Sequence, residues 1–310
     1  MKKAKLSVII PIFGVEEKIE RCAISLFEQS LQDIEYVFVD DATKDNSIGV
    51  LESIIVKYPE RKPWIKIVHH KENKGLPIAR ETGLRNASGD YIIHCDSDDW
   101  MDKQMCEKLL RKAIDKNSDI VFCDYSVGPI NQLHEVHKPV STNSNYQAMH
   151  DIVYSVGWQV WRFICKASLY NNVTFPQETN GEDLAITSQI LLYARKISYL
   201  PEVLYNYVIY DNSSSHNSIP EKIHKSMMQK KHNTDIALSA LSSYGQDTTN
   251  EQLLIKIYCR LWNKSKNKEI VSKLWWEMYP EIELHDIVFN TNIPGRIRFK
   301  YLLLFFYFKL

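Results

Sequence analysis

The sequence predicts an α/β domain built on a mostly parallel central sheet flanked by helices, followed by a helical appendage. Three observations predict it. Lys5 to Phe13 (KLSVIIPIF) and Tyr36 to Asp41 (YVFVDD) are short runs rich in β-branched and aromatic residues, the composition of strands covered on both faces. Tyr91 to Cys95 is a third such run, and an amphipathic helical pattern precedes it, the alternation that builds parallel sheets. Beyond Pro220 the strand signals stop and helical periodicity takes over.

The first strand ends at Pro11-Ile12-Phe13, and the second ends directly in Asp40 and Asp41. A polar turn, Asn73-Lys74-Gly75, then opens the helix that carries Ala79 and Arg80. The third strand runs into Asp96-Ser97-Asp98-Asp99. In open α/β sheets, ligands bind at the carboxyl ends of strands, so these carboxylates belong in the ligand crevice. Burying that charge density is costly unless a cation compensates it, and a hard divalent ion bridging phosphate oxygens is the usual solution.

Rival readings of this loop meet obstacles. A calcium loop would use Asp96, Asp98 and Glu107, yet Met101 stands where the sharp turn needs glycine, and a strand replaces the entering helix. A phosphatase-type Asp-x-Asp nucleophile loop would usually carry Thr or Val where Trp100 stands. A solvated acidic turn that only caps the next helix is the plain alternative.

Further along, the polar stretch from Ser126 to Asn145 is expected to be a long loop over the sheet edge. Gly157 to Lys166 combines Trp158 and Trp161 with two cations, a pairing suited to sugar rings and anionic groups, with core packing as the alternative for each tryptophan. Thr179-Asn180-Gly181 precedes Glu182-Asp183 and a helix-spaced run to Leu192, so the two acids fall at a helix start. By position alone they could merely complement the helix dipole. Val203 to Val208 reads as a strand, and Tyr210 to Ser218 is a hydrophilic loop containing His216.

The first two strands with their acids, Asn73-Lys74-Gly75, Ala79-Arg80 and Asp96-Ser97-Asp98-Asp99, in that order, resemble the family-2 glycosyltransferases of the GT-A fold, a Rossmann-like architecture, over roughly Lys5 to Ser218. The resemblance implies a nucleotide-sugar donor, with Pro11, Ile12 and Phe13 lining the base pocket and Asp41, with Asp40 beside it, bonding the base or ribose. It implies that Asn73, Gly75 and Arg80 flank the donor nucleotide, that Asp96 and Ser97 face ribose and sugar, and that Asp98 ligates Mg or Mn on the diphosphate. It implies Asp183 as the catalytic base, Glu182 as its neighbour or an acceptor ligand, and His216 as a further metal ligand. The chain departs from the family's usual pattern at Gly14, in Asp40 to Asp45, and at Glu81. A sugar nucleotidyltransferase would announce itself with a Gly-rich, Arg-containing loop after the first strand, where this chain has Pro11 to Glu17. An idle sugar-binding or scaffold subunit would not need Asp98 and Asp183.

With 38 basic and 38 acidic side chains the chain has no bulk affinity for nucleic acid. Its 6 cysteines are scattered without a C-x-x-C pair and read as reduced thiols, and no signal peptide is evident, so a cytosolic protein is expected. The expected organisation is a catalytic domain over 1–219, a helical accessory region over 220–290 and a basic, apolar tail over 291–310. After Asp286 there is no acidic residue, and Arg296, Arg298, Lys300 and Lys309 surround a Leu/Phe/Tyr run too short to span a bilayer. Peripheral contact with the inner face of the cytoplasmic membrane, near a glycan or lipid-linked acceptor, is the expectation there.

Overall fold

The structure is a computed structural model that describes residues 4–210, 220–261 and 268–309. β1 (Leu6–Ile12) is buried along its whole length, as its unbroken apolar run requires. It lies between β2 (Ile34–Asp40) and β4 (Tyr91–His94), and β3 (Ile65–His69) extends the sheet beyond β2, all in parallel. The register sets Ile12 beside Asp40, and Ile9 beside His94. The loops that follow β1, β2 and β4 therefore emerge along one edge of the sheet.

α1 (Ile19–Phe27), α2 (Ser47–Ile55) and α4 (Met105–Lys116) cover one face, where Cys22, Leu26, Leu51 and Leu109 meet Leu6, Val8 and Ile10. α3 (Leu76–Asn86) lies on the opposite face. It comes so close that a Cβ at Gly83 would sit 2.4 Å from Ile9 Cγ2, so any larger residue would push the helix off the sheet.

The second half of the sheet is mixed. β8 (Phe163–Lys166) runs antiparallel between β4 and β6 (Ile120–Gly128), and β9 (Ile197–Val208) continues parallel to β6. β5 (Trp100–Met101) closes the far edge against β9. The stretch expected as a long loop after Ser126 instead folds back as β7 (His134–Val136), antiparallel to β6, and then enters α5 (Asn145–Asp151). Its return is pinned by the buried Asp124, which accepts from Lys138 N (2.9 Å) and Tyr199 Oη (2.6 Å) and meets His137 Nδ1 at 3.0 Å. An edge strand this exposed carries polar residues on both sides, which is why its composition resembles a loop.

α6 (Glu182–Tyr193) is followed, after β9, by α7 (Pro220–Ser242), α8 (Thr249–Leu261), α9 (Lys268–Glu277), α10 (Leu284–Val288) and α11 (Gly295–Lys309). These later helices share the core of the sheet: one buried cluster runs from Ile9, Ile92 and Phe163 through Ile186 and Ile190 to Ala237, Leu254, Trp275 and Tyr301. Buried Arg260 ties α8 to α11, donating to Met278 O, Tyr279 O and Tyr301 Oη. All six cysteines are free and buried. No helix among the described residues is long and apolar enough to cross a membrane.

Candidate active site

The crevice at the strand ends is organised by one guanidinium. Arg80 is fully buried on the first turns of α3, and its Nη1 donates to Glu182 Oε1 (3.0 Å) and Asp183 Oδ1 (2.9 Å). Its Nη2 donates to Asp96 Oδ1 (2.8 Å). The loop after β4 and the first turn of α6 are thereby bonded to the same side chain. Burial opposes the Arg80 charge, but Asp96, Asp183 and Glu182 outweigh it and raise its pKa.

The two acids on α6 answer in the other direction. Burial raises Glu182 first and the neighbouring Asp183 charge adds to it. Burial also raises Asp183, Arg80 pulls it back, and Asp96 pushes it up again, with a net rise. Asp183 keeps 27% of its side chain exposed while Glu182 keeps 11%, so water in the crevice tempers the rise and Asp183 is the more available of the two. Both stand where the helix dipole favours negative charge. Gly181, with φ of 86°, makes the sharp entry that puts them there.

On the other side of the crevice, Asp98 keeps 37% of its side chain exposed, with Lys18 Nζ 3.7 Å away. Partial burial and the Asp96 charge raise its pKa, and Lys18 only partly offsets them, so the loop is short of positive charge. Its backbone is held from α1 and from just beyond β9: Arg21 Nη2 (2.8 Å) and Tyr210 Oη (3.0 Å) both donate to Asp98 O. Arg21 also lies 4.2 Å over the Trp100 ring, and Lys18 lies 3.8 Å over that of Tyr210. Asp99 is buried and structural. It accepts from Val208 N (2.8 Å) and Tyr205 Oη (3.0 Å), while burial and its two acidic neighbours raise its pKa well above the ordinary range. Ser97 is buried between them.

The turn at Asn73-Lys74-Gly75 is built on Asp41, whose carboxylate accepts from Lys74 N and Gly75 N (2.8 Å each) and meets His70 Nδ1 at 2.7 Å. Asp40 accepts from Thr43 N (2.8 Å) and meets His69 Nδ1 at 2.9 Å. Both second-strand acids thus hold the loops at the strand ends together, and Asn73 donates to Asp41 O (3.3 Å). Pro11 and Ile12 are buried, whereas Phe13 projects into solvent at 52% exposure.

The two tryptophans separate. Trp161 is 2% exposed and stacks on Tyr205 at 4.2 Å and Tyr207 at 5.6 Å, so its faces are covered and it packs the core instead of offering a surface to a sugar. Trp158 is half-buried, and its carbonyl accepts from Thr187 Oγ1 at 2.7 Å. His216 lies outside the described residues.

Nothing local in the sequence marks Lys18, Arg21 or Tyr210, which reach the carboxylate loop from α1 and from the residues just beyond β9. Asn233 is less visible still. Buried on α7, it donates to Glu178 O (2.7 Å) and Asn180 O (2.9 Å), and Gln229 accepts from Asn180 Nδ2 (2.7 Å). The appendage thereby clamps the loop that leads into Glu182 and Asp183.

Folds of this layout, with acids along this edge, are those of the GT-A glycosyltransferases. The chain belongs to glycosyl transferase family 2, whose family model matches residues 7–180. It is 31% identical over 229 residues to the uncharacterized glycosyltransferase EpsJ of Bacillus subtilis, spanning 70% of this chain and 64% of that protein. It is 30% identical over 223 residues to glycosyltransferase GlyA of Streptococcus pneumoniae, spanning 68% of this chain but 31% of that one. The match thus leaves a third or more of each relative uncovered. Among solved structures, S. aureus TarS 1-349 in complex with UDP-GlcNAc superposes with a TM-score of 0.71 at 19% identity, over 94% of this chain and 82% of that one. The mannosyltransferase PcManGT of Pyrobaculum calidifontis, in complex with GDP-Man and Mn2+, gives 0.58 at 15% identity, over 88% and 74%.

Proposed function

We propose that the chain is a divalent-cation-dependent, inverting glycosyltransferase that moves a sugar from a nucleotide-sugar, most simply a UDP-sugar, to a hydroxyl of a glycan or lipid-linked glycan in surface polysaccharide synthesis. The observation that carries this reading is the Arg80 bridge, which fixes the acid pair of α6 against the loop that holds Asp96 and Asp98.

Among the described residues no cluster of three or more His, Cys, Asp or Glu could cage a metal by itself. Mg or Mn on a diphosphate keeps waters and phosphate oxygens and takes only one or two carboxylates from the protein. Asp98, part-exposed and short of counter-charge, would be the principal ligand, with His216 as a further candidate. When bound, the cation would neutralise charge developing on the departing diphosphate.

Asp183 accepts the proton of the acceptor hydroxyl as its oxygen attacks the anomeric carbon, and the bond to the diphosphate breaks on the opposite face of the sugar. Its upward-shifted pKa makes it a stronger base than an ordinary carboxylate, while Arg80 keeps it ionised near neutrality. Glu182 holds Arg80. Asn73 and Gly75 flank the nucleotide, and Phe13 is exposed beside the first strand for a base to stack on. Trp158 remains the aromatic candidate for the acceptor.

Asp98→Ala tests the metal site. Calorimetry with UDP and Mn should show nucleotide binding that depends on Mn in the parent and loses that dependence in the variant, with turnover abolished. Full activity of the parent in chelator would sink the assignment.

A further inference from the structure

α11 is apolar nearly all round, and the protein covers only one side of it. On the inner side, Tyr301 is buried against Arg260, Phe308 packs on Trp275 (5.3 Å) and Phe305 on Trp276 (5.2 Å). On the outer side, Phe299, Leu303 and Phe306 are between 52% and 64% exposed. Arg296 and Lys300 are exposed on that same side, at the helical spacing that interleaves them with the apolar residues. Phe299, Leu303 and Phe306 exposed together on one helix face form the kind of apolar surface that marks an interaction site.

We propose that this outer face of α11 docks on an anionic lipid bilayer, with the helix lying in the interface plane. Charge favours lipid over a second copy. From Ile287 to Leu310 the chain has no acid, so an isologous dimer would oppose this face with another that bears only cations. Anionic head groups complement Arg296 and Lys300, and Phe299, Leu303 and Phe306 supply the apolar insertion. The 15 residues of α11 reach about 22 Å, shorter than a hydrocarbon core of about 30 Å, and its cations at Arg296 and Lys300 suit the interface. The inference deepens the proposed reaction by placing it beside a lipid-linked acceptor, but the surface is argued independently of the chemistry.

The test is co-sedimentation of the full chain with vesicles of equal parts phosphatidylglycerol and phosphatidylcholine, and with phosphatidylcholine alone. The parent should pellet with the anionic vesicles at low salt and be released by high salt. Phe299→Ser/Phe306→Ser should weaken partitioning by about tenfold or more, with melting temperature and UDP binding unchanged because neither side chain lies on the inner face. Arg296→Ala/Lys300→Ala should weaken it by about tenfold and remove most of the salt sensitivity. A parent that stays in the supernatant at low salt overturns the proposal. So does a double-serine variant that pellets like the parent, or a parent dimer that this variant dissociates without any vesicle binding. Loss of UDP binding in the parent would instead count against the proposed transfer reaction and leave the vesicle result to stand.

Discussion

Arg80 and Arg61 are both buried arginines close to the same half-sheet, yet they are matched differently. Arg61 donates only to backbone carbonyls: Phe27 O (2.9 Å), Gln29 O (2.6 Å), Leu31 O (2.9 Å) and Gln32 O (2.7 Å). It fastens the loop after α1 and has no other task visible in the fold. Arg80 donates only to carboxylates, two of which keep about a quarter of their side chains open to the crevice. A buried cation matched to carbonyls spends all its bonds on architecture. One matched to part-exposed carboxylates leaves acceptor capacity facing a ligand, and that capacity is what a transferase site needs.

Replacing each arginine with methionine should break the comparison open. Both variants lose a buried cation with several charge-assisted bonds, so each should be destabilised by about 3 kcal/mol, read by denaturant titration. Arg80→Met should also abolish transfer, because α6 with Glu182 and Asp183 comes apart from the loop with Asp96. Arg61→Met should keep kcat/KM within about threefold at a temperature where it is folded. Equal loss of activity in both would make Arg80 an architectural residue as well.

The next largest effect concerns the acid limb of the pH profile. If Asp183 is the base it must be ionised, and its pKa is raised, so the rate should fall on acidification while pH is still above the ordinary carboxylate range of about 4. Stability should move the other way. In the window between the unfolded and raised folded values of Asp183 and Glu182, the native state holds more protons, so these acids stabilise the fold at lower pH and cost stability as pH rises. Measuring kcat in the parent together with the stability difference between the parent and Glu182→Gln across that window checks both signs, since the other carboxylates cancel in the difference, and a rate and a stability difference that fall together would contradict them.

A smaller effect is expected at Asn233. Asn233→Ala frees the loop at Glu178 and Asn180, so kcat should fall by roughly tenfold through misplacement of Asp183, while UDP affinity is kept. A fall in UDP affinity with unchanged kcat would show that α7 supports the donor side instead.

Much of this site could be read from sequence because its acids sit at strand ends, where a short apolar run and its last residue mark both the strand and its mouth. Asp40, Asp41, Asp96, Asp98 and Asp99 are legible in this way, and the Glu182-Asp183 pair is legible as acids at a helix start. The partners that set their behaviour are not. Arg80 was assigned to the donor nucleotide, and nothing in its helix announces that it meets Glu182 and Asp183 more than a hundred residues away. Lys18, Arg21 and Asn233 reach the site only after packing has placed α1 and α7. Trp161 shows a related limit: composition gives an aromatic residue, but only the neighbouring Tyr205 and Tyr207 decide whether its face is free. The antiparallel β8 within the sheet escaped notice because a four-residue apolar run does not reveal its direction.

The central claim is that Asp183, held by Arg80 opposite the metal loop, takes the acceptor proton. Asp183→Asn keeps the side chain's size and removes its basicity, so transfer and donor binding can be measured on the same folded protein. Transfer should fall by ~10²-fold or more while UDP binding in the presence of Mn stays within about threefold of the parent. A variant that transfers sugar at the parent's rate would contradict the account and move the search for the base to Glu182.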